Sequence, residues 1–375
     1  MGGRPVWAEV NLQTLRENFC KLQTYTQSEI MPMVKADAYG HGVIPVVQTL
    51  IACGAQRYGV ALLQEALEIK AVFPKVTVMV IGATELEESD TLVKEEIIPT
   101  VFQLAQAQAL SESAVKLNRT ARLHIKVDTG MGRIGFRETD LSEILEIANL
   151  PNLFIEGIFT HFATSDQRDL SFSHKQLKGF QTLCDRLKRA GLSIPIRHAA
   201  NSAAIIQFPE SHFELVRLGI SLYGLTPSFQ VGGNVGLEPV MSWKAKVSHV
   251  KSIGTGETVS YGRTFQAAYP TRVATIPVGY ADGLRRILSN QGEMLIHGRR
   301  STMIGRICMD QTMLEVTKIP RVKIGDVVTI LGIDGNEQVT ATEMAEWMGT
   351  ISYEVVCGIS KRVPRVYLGL AEDVK

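Results

Sequence analysis

The sequence predicts an N-terminal (β/α)8 barrel followed by a C-terminal all-β domain. One observation is a regular alternation between apolar, β-branched-rich runs and segments of helical period, which continues over about 230 residues, the usual size of such a barrel. Another is a change near residue 232, beyond which the runs are short and alternate in polarity. We therefore expect a strand at 1–11 packed on the C-terminal domain, a barrel at 12–232 and a β-strand domain at 233–375.

The first elements of the chain are a strand and a helix. The segment "VWAEV" has the character of a strand, and Asn11 behind it can cap a helix. That helix presents apolar side chains at helical spacing on one face. These are Leu12, Leu15, Phe19 and Leu22.

Apolar runs then predict the barrel strands. A run that is apolar throughout, rather than alternating, suits a strand covered on both faces, as in parallel sheets. A doubly wound open sheet is the alternative architecture, but no GxGxxG motif follows the first strand. The eight runs cover residues 30–35, 58–63, 76–82, 97–102, 122–127, 153–160, 194–198 and 213–220.

The second domain is predicted from short runs with period-two character, broken by Gly, Asp and Pro. The runs are "SWKAKVSHV", "TRVATIPVG", "STMIGRICMD" and "VVTILG".

Composition limits the classes of function. The chain has 39 basic and 38 acidic residues, so it has no global attraction to nucleic acid or to an anionic membrane. The N-terminus lacks the apolar core of a signal peptide, and no segment is apolar enough to span a bilayer. The 5 cysteines are scattered without metal-ligand spacing, which suggests reduced thiols. We expect a cytoplasmic protein without nucleic-acid or membrane partners.

Polar residues and glycines fall at the ends of several predicted barrel strands. In such barrels the chemistry lies at the C-terminal ends of the strands, so these residues predict one pocket. They are Lys35, Lys126, Arg133, His161, Asn201, Ser202, Arg217, Gly219 and Ile220.

Each of these residues also has a structural interpretation when it is taken alone. Lys35 could lay its methylenes on apolar surface and keep its ammonium group in water. His161 could be a hydrogen-bonded core histidine, and Arg217 could belong to a structural ion pair. Their convergence on one end of the barrel favours a site.

The chemistry that suits this set is a phosphorylated aldehyde cofactor. A lysine in a dry pocket loses part of its preference for the charged form and can form a Schiff base, a role that fits Lys35. Ser202, with the backbone N–H groups of Gly219 and Ile220, could hold a phosphate. A metal site is disfavoured, because the His, Asp and Glu residues do not form a compact ligand set.

Nine segments of the sequence match the motifs of a known family, in the order of that family. They are "VKADAYGHG", "KVDTGMGRIG", "THFATSD", "NSAA", "RLGISLYG", "VSYGRTF", "PVGYADG", "GRICMDQ" and "CGISKRVPRVY". On these segments the sequence resembles the alanine racemase family over essentially its whole length. That family combines a barrel and a β domain and uses pyridoxal 5'-phosphate, so the resemblance implies this cofactor. It also implies interconversion of L-alanine and D-alanine, which supplies D-alanine for peptidoglycan.

The resemblance also implies roles for individual residues in the barrel. Lys35 would carry the cofactor covalently, and Arg217 would face its pyridine nitrogen. Arg133 would face the phenolic oxygen of the cofactor and the substrate carboxylate. Lys126 matches a position that is often carbamylated to N6-carboxylysine, an anion that would hold Arg133. The remaining cofactor-binding residues implied are Tyr39, His161, Asn201, Ser202, Gly219, Ile220 and Tyr353.

Other implied residues would come from a second subunit of a head-to-tail homodimer with shared active sites. Racemisation needs two bases, one on each face of the α-carbon. Lys35 would serve one face and Tyr261 of the second subunit the other. Met309 and Asp310 would approach the substrate from the same subunit as Tyr261.

Related functions on the same scaffold remain open alternatives. They are a broad-specificity, serine or lysine racemase, or a decarboxylase of a basic amino acid. Decarboxylases of this architecture place a general-acid cysteine near the partner's loop, whereas Tyr261 and "CMDQ" favour racemisation. A non-catalytic pyridoxal-phosphate carrier is a further alternative, but such carriers are typically a lone barrel.

Overall fold

The computed structural model describes residues 4–228, 230–231 and 235–369. The chain divides into two compact units. The barrel unit contains Arg16–Ala38 and Val43–Leu237. The β unit contains the described residues up to Leu15, the segment Tyr39–Gly42 and the described residues from Glu238 onward. The boundary predicted between residues 232 and 233 lies outside the described residues, and the predicted domain limits stay a prediction.

The described chain begins with strand β1 (Val6–Asn11), which leads directly into helix α1 (Leu12–Gln23). The side-chain oxygen of Asn11 accepts hydrogen bonds from the backbone N–H groups of Gln13 and Thr14, both at 3.1 Å. This confirms the predicted cap, since these N–H groups have no partner within the helix. The apolar positions predicted to share one helix face, Leu12, Leu15, Phe19 and Leu22, are all buried.

Among the described residues, eight strands form the barrel unit, one for each apolar run of the sequence. Strands β3 to β8 pair in sequence order, β2 pairs with β9, and every strand pair within these two sheets is parallel. The two sheets join at both edges, where Val34 donates to Gly59 O at 2.9 Å and Arg217 N donates to Ala200 O at 3.0 Å. The sheet is therefore closed, and the predicted barrel is confirmed. The strands are β2 (Glu29–Pro32), β3 (Arg57–Val60), β4 (Thr77–Val80), β5 (Ile98–Val101), β6 (Ala121–Lys126), β7 (Leu153–Phe159), β8 (Ile196–His198) and β9 (Leu215–Leu218).

Helices join the successive barrel strands, in agreement with the helical period between the runs. Burial on both faces is complete in β4, for example, where Val78, Met79 and Val80 have no exposed surface. A short segment, α2 (Lys35–Tyr39), follows β2. The connecting helices are α3 (Val43–Ala52), α4 (Leu63–Val72), α5 (Ser89–Lys94), α6 (Leu104–Lys116), α7 (Leu141–Ala148), α8 (Ser171–Arg189) and α9 (Ser202–Gln207).

The β unit contains three sheets. The largest has the order β16-β15-β18-β10-β1-β20, with β19 paired to β18; β11, β14 and β17 form the second, and β12 with β13 the third. Its strands are β1 and β10 (Met241–Lys246), β11 (His249–Ile253), β12 (Thr258–Val259), β13 (Phe265–Gln266), β14 (Thr271–Ile276), β15 (Glu293–Ile296), β16 (Arg299–Thr302), β17 (Thr312–Glu315), β18 (Val327–Asp334), β19 (Glu337–Val339) and β20 (Arg365–Leu368). Two short helices, α10 (Ala341–Met348) and α11 (Ser352–Cys357), precede β20.

The N-terminal strand belongs to the largest of these sheets. β1 pairs antiparallel with β10 and parallel with β20. In β10 the side chains of Met241, Trp243 and Ala245 are buried, while the residues between them are partly exposed. This alternation is the one that the period-two pattern of "SWKAK" predicts. Among the described residues, no helix is long and apolar enough to cross a membrane.

Candidate active site

Lys35 follows strand β2 and begins a left-handed turn. The backbone φ angles of Ala36, Asp37, Ala38 and Tyr39 lie between 52° and 55°. A left-handed helical conformation costs L-residues about 1–2 kcal/mol each, so surrounding contacts must hold this turn. Positive φ is usual for glycine, but here four residues with side chains adopt it.

Side-chain carboxylates hold both ends of this turn. Glu65 accepts a hydrogen bond from the backbone N–H of Ala36 at 2.5 Å. Its other carboxylate oxygen accepts from Ala61 N at 2.8 Å, so Glu65 also stabilises the start of α4. Asp37 accepts from Val43 N at 2.7 Å, at the start of α3. The path of the chain away from Lys35 is therefore fixed by contacts.

Arg217 lies in β9 and is 3% exposed. Its Nη2 donates to the backbone oxygens of Thr160 and Ala199 at 2.8 and 2.9 Å and to Nδ1 of His161 at 3.1 Å. Its Nη1 donates to Nδ1 of His198 at 2.9 Å. Among the described residues, none accepts a hydrogen bond from Nε of Arg217. This N–H is therefore available to a bound molecule.

Arg217 stays charged despite its burial. Burial, and then the positive charge of Arg133, lowers the pKa of Arg217 to about 9, which still leaves the guanidinium protonated at neutral pH. The cost of burying this charge is offset by four hydrogen bonds to acceptor atoms.

His161 is neutral at this site. A guanidinium only donates, so Nδ1 of His161 must accept and its proton lies on Nε2. Burial, and then the charges of Arg217, Arg133, Lys126 and Lys35, hold the pKa of His161 well below its usual range. The end of the barrel around this ring is thus strongly electropositive, which suits an anionic ligand.

Lys126 ends strand β6 and is 2% exposed. Its Nζ donates to the backbone oxygen of Val127 at 2.8 Å and lies 5.3 Å from the centre of the Phe159 ring. Burial, and then the charge of Arg217, lowers the pKa of Lys126 to about 7, with Asp128 acting in the opposite direction. The neutral amine is therefore readily formed at neutral pH.

Arg133 lies on the glycine-rich loop that follows β6, and its side chain is exposed. Asp128 organises the loop by accepting hydrogen bonds from the backbone N–H groups of Gly130 at 2.9 Å and Gly132 at 3.0 Å. The φ angles of these two glycines are 137° and 70°, in a region that other residues rarely adopt. The loop conformation thus depends on the "GMG" sequence.

Ser202 and Gly219 meet at the ends of β8 and β9. The hydroxyl oxygen of Ser202, a buried side chain, accepts a hydrogen bond from Gly219 N at 2.9 Å. This hydrogen bond does not use the hydroxyl proton of Ser202, which can be donated to a ligand. Ile220 is the first residue of a 3-10 helix, Ile220–Tyr223. The first N–H groups of a helix have no acceptor within that helix, so the N–H of Ile220 can bind a ligand.

Asn201 caps helix α9. Its side-chain oxygen accepts from Ala204 N at 3.1 Å and from the hydroxyl of Ser165 at 2.9 Å. The structure thus gives Asn201 a positioning role for Ser202, the first residue of the helix. Its direct contact with a cofactor stays a prediction.

Tyr39 and Tyr353 lie together in the β unit. Their ring centres are 6.2 Å apart, and Tyr39 is 6% exposed. Burial raises the pKa of Tyr39, as does the proximity of Tyr353 and Cys357, so the phenol stays protonated. The backbone oxygen of Gly40 accepts from Arg365 Nε at 2.9 Å and fixes the chain directly after Tyr39.

Tyr261 and Met309 are exposed large side chains of the β unit, with exposed fractions of 70% and 52%. The hydroxyl of Ser260 donates to the backbone oxygen of Arg306 at 2.5 Å and lies 3.5 Å from Sγ of Cys308. The loop that carries Tyr261 is therefore joined to the "GRICMD" segment. The described residues leave more than half of each of these two side chains exposed.

The carboxylate of Asp310 is already paired within its own chain. Its carboxylate accepts a hydrogen bond from Arg362 at 2.7 Å. Contact between Asp310 and a substrate stays a prediction.

The structure brings nine predicted residues into the barrel unit and the other five into the β unit. In the described part of the chain, no group of three or more His, Cys, Asp and Glu side chains could hold a metal ion. The barrel set is Lys35, Lys126, Arg133, His161, Asn201, Ser202, Arg217, Gly219 and Ile220; the β-unit set is Tyr39, Tyr261, Met309, Asp310 and Tyr353.

The histidines that lie behind Arg217 were not predicted from the sequence. His198 ends strand β8 and His124 lies in β6, and both rings are fully buried. The available signal was a histidine inside each of two predicted strands, 122–127 and 194–198. Their contact with each other depends on strand register, which a single sequence does not reveal.

Comparison with known protein families gives two matches that together span most of the chain. The model of the alanine racemase N-terminal domain matches residues 10–227, and that of the alanine racemase C-terminal domain matches residues 240–367. The chain belongs to the alanine racemase family. The resemblance inferred from the motifs is thereby confirmed, and with it the prediction of an enzyme of the amino-acid racemase class.

Individual members of the family are similar over nearly their whole length. Alanine racemase 1 of Clostridium acetobutylicum is 46% identical over 376 residues, which cover 99% of this chain and 97% of the relative. Alanine racemase of Halothermothrix orenii is 45% identical over 97% of both chains. The solved alanine racemase of Clostridium difficile 630 superposes with a TM-score of 0.94 at 38% identity, covering 98% of this chain and 97% of that one. Alanine racemases are pyridoxal-phosphate-dependent enzymes.

Proposed function

We propose that this chain interconverts L-alanine and D-alanine with pyridoxal 5'-phosphate as its cofactor, using Lys35 and Tyr261 of the partner subunit as the two bases. The observation that carries the proposal is the electropositive end of the barrel, where Lys35, Lys126, Arg133 and Arg217 act on the neutral ring of His161. A phosphate group and an amino-acid carboxylate are the anions that such a site would attract.

The residues present fit this cofactor. The unused Nε–H of the buried guanidinium of Arg217 suits an aromatic nitrogen, which accepts a hydrogen bond. The hydroxyl of Ser202 and the backbone N–H groups of Gly219 and Ile220 suit a phosphate, and Tyr39 and Tyr353 would add phenolic donors. Lys35 would bind the aldehyde. When bound, the cofactor draws electrons from the substrate α-carbon and acidifies its hydrogen.

Arg217 limits how far that electron withdrawal goes. A guanidinium cannot accept a proton from the ring nitrogen, and at this site it can only donate one hydrogen bond to it. Arg217 would therefore leave a ring nitrogen placed there unprotonated and would keep the electron withdrawal of the cofactor moderate. Lys35 and Tyr261 of the partner subunit would then have to return a proton to the substrate α-carbon promptly.

Inversion needs a proton to leave one face of the α-carbon and another to arrive on the opposite face. Lys35 Nζ would act on one face and the hydroxyl of Tyr261 on the other, each taking the α-proton in one direction of the reaction and donating in the reverse direction. The 70% exposure of Tyr261 in its own chain supports a role in the site of another subunit. We expect a head-to-tail homodimer in which Met309 and Asp310 approach the same site.

Arg133 would bind the substrate carboxylate and the phenolic oxygen of the cofactor. Carbamylation of Lys126 would support it: the neutral amine would form a bond to the carbon of CO2, one C=O π bond of CO2 would open onto oxygen, and one N–H proton would be released. An uncharged amine would thereby become an anion that pairs with Arg133. The lowered pKa of Lys126, about 7, favours the neutral amine that this step needs.

The cellular role is proposed with the activity. D-Alanine made by this enzyme would supply peptidoglycan synthesis in the cytoplasm. The five cysteines, at positions 20, 53, 184, 308 and 357, form no disulfide bond with one another, as is usual for proteins of a reducing compartment.

Incubation with L-alanine in deuterium oxide, followed by chiral analysis, tests the proposal. We expect D-alanine that carries deuterium at the α-carbon, and no activity in Lys35→Ala. Release of carbon dioxide from a basic amino acid would instead indicate a decarboxylase, and faster exchange with serine or lysine a racemase of different specificity. A bound cofactor without any exchange of α-hydrogen would contradict the proposal.

A further inference from the structure

Behind Arg217, a chain of buried hydrogen bonds crosses the barrel. Nη1 of Arg217 lies 2.9 Å from Nδ1 of His198, and Nε2 of His198 lies 2.8 Å from Nδ1 of His124. Nε2 of His124 lies 3.0 Å from a carboxylate oxygen of Glu156. The same oxygen accepts a hydrogen bond from Arg57 at 2.9 Å. These hydrogen bonds thus join strands β9, β8, β6, β7 and β3.

The direction of every proton in this chain follows from its two ends. Arg217 can only donate, so Nδ1 of His198 accepts and the proton of His198 lies on Nε2. That proton is donated to Nδ1 of His124, so the proton of His124 also lies on Nε2. Glu156, as a carboxylate, can only accept from His124. Both ends therefore impose the same pair of tautomers.

The surroundings keep both rings neutral and in place. Burial lowers the pKa of His124 and holds the pKa of His198 well below its usual range. Burial alone would raise the pKa of Glu156, but hydrogen bonds from His124 and Arg57 outweigh it and lower that pKa to about 2. Phe159 stacks on His198 with ring centres 4.6 Å apart. Each ring thus has one donor and one acceptor nitrogen, and both are used.

Strand β7 is shaped to admit the ring of His124. A Cβ atom at Gly157 would lie 2.4 Å from Cε1 and Nδ1 of His124, so no side chain fits at this position. The register between β6 and β7 also shifts between Leu123 and His124. A glycine and an irregular strand pairing therefore coincide at the centre of the chain of hydrogen bonds.

We propose that Glu156 is a positioning residue that acts through His124 and His198 to fix the acceptor for Arg217. This inference deepens the proposed function and rests on it. Without the carboxylate, Arg57 can donate directly to Nε2 of His124, because both atoms lie near the position of the lost oxygen. The proton of His124 would then move to Nδ1, and the proton of His198 would in turn face Arg217. Arg217 would lose an acceptor and meet a donor instead.

The ring nitrogens report this arrangement directly, because nitrogen-15 chemical shifts distinguish protonated from unprotonated imidazole nitrogens. In the purified enzyme we expect His124 and His198 to carry their protons on Nε2. In Glu156→Gln the amide oxygen can still accept from His124, so the tautomers and the activity should be retained. In Glu156→Leu we expect protons on Nδ1 and a loss of kcat of about tenfold, the effect of one charge-assisted hydrogen bond, with the KM for alanine little changed.

Glu214→Gln is the matched control, because Glu214 pairs with Arg197 at 2.7 Å in the same unit and contacts neither histidine of the chain. Should Glu156→Leu not fold, His124→Phe interrupts the same chain and should lower kcat to a similar extent. A proton on Nδ1 of either histidine in the unsubstituted enzyme would overturn the proposal. So would unchanged tautomers in folded Glu156→Leu, or an unchanged kcat in His124→Phe. The ring tautomers do not depend on racemase activity, so a failure of the proposed function would be recognised separately.

Discussion

Arg217 donates a hydrogen bond from Nη2 to Nδ1 of His161 across 3.1 Å at the end of the barrel, where Arg217 is buried and His161 is half-buried. The guanidinium fixes the histidine as a neutral acceptor, and the positive charges around it oppose its protonation. His124 and His198, which lie behind Arg217, are likewise held neutral by burial. This arrangement has a consequence for stability.

We expect the protein to lose stability as the pH falls below about 6.5, the ordinary pKa of histidine in an unfolded chain. Below that pH the unfolded chain binds protons that the folded barrel does not, so the free energy of unfolding decreases by up to about 1.4 kcal/mol per pH unit for each such histidine. Glu156, whose lowered pKa is about 2, contributes stability that is lost only below about pH 4.5.

Urea unfolding followed by circular dichroism measures this dependence at about pH 7.5, 6.5 and 5.5, which lie above, at and below the ordinary pKa of histidine. His198→Asn keeps an acceptor near Arg217 but removes one titrating ring, so its stability should depend less steeply on pH. The exposed His249 in β11 gives the control His249→Asn. Equal slopes for the unsubstituted protein and His198→Asn would contradict the account of neutral buried histidines.

A second prediction concerns Lys126, whose pKa of about 7 leaves a neutral amine available. The protein incubated with carbon-13 bicarbonate at pH 8 should show a carbamate carbon signal in NMR, and the signal should weaken as the pH falls below about 7, because carbamylation needs the neutral amine. Lys126→Met should remove the signal, whereas substitution of the exposed Lys178 in α8 to Gln should not. Absence of the signal at pH 8 would refute carbamylation of Lys126.

A third prediction uses the left-handed turn after Lys35. Ala36 is exposed and has a φ of 52°, so Ala36→Gly removes backbone strain without creating a cavity. The free energy of unfolding should increase by up to about 1 kcal/mol, since the relief of strain exceeds the entropy that glycine adds to the unfolded chain. The activity should fall, because the backbone beside Lys35 becomes less restricted.

The opposite sign is expected at Ala109, which lies inside the ordinary right-handed helix α6. Ala109→Gly should decrease the free energy of unfolding by about 1 kcal/mol and leave the activity unchanged. Thermal unfolding of the two variants gives the comparison. If Ala36→Gly were as destabilising as Ala109→Gly, the left-handed turn would not be strained.

The barrel could be predicted from the sequence because burial on both faces leaves continuous apolar runs, and each of the eight runs became a strand. The same runs located Lys35, Lys126 and His161, since these residues follow or end strands whose ends meet at one end of a barrel. The β domain was predicted less completely. Only Arg299–Thr302 of the region around "STMIGRICMD" forms a strand before a turn with Gly305 at a φ of 72°.

Two features of the site could not be predicted from the sequence. The left-handed turn contradicts the local preference of Ala36–Tyr39 and exists because contacts such as that from Glu65 hold it. The link from Arg217 to Glu156 depends on which strands are neighbours and on their register, since its members are far apart in the chain. Both features are produced by tertiary structure.

The central claim is that Lys35 and Tyr261 of different subunits act at one site. Heterodimers tested for alanine racemisation can decide it. A heterodimer of Lys35→Ala and Tyr261→Phe subunits should have about half the activity of the unsubstituted dimer, because one of its two sites keeps both bases. A heterodimer of an unsubstituted subunit with a Lys35→Ala, Tyr261→Phe subunit should be nearly inactive. The reverse result, an inactive first heterodimer and a half-active second one, would contradict a shared active site.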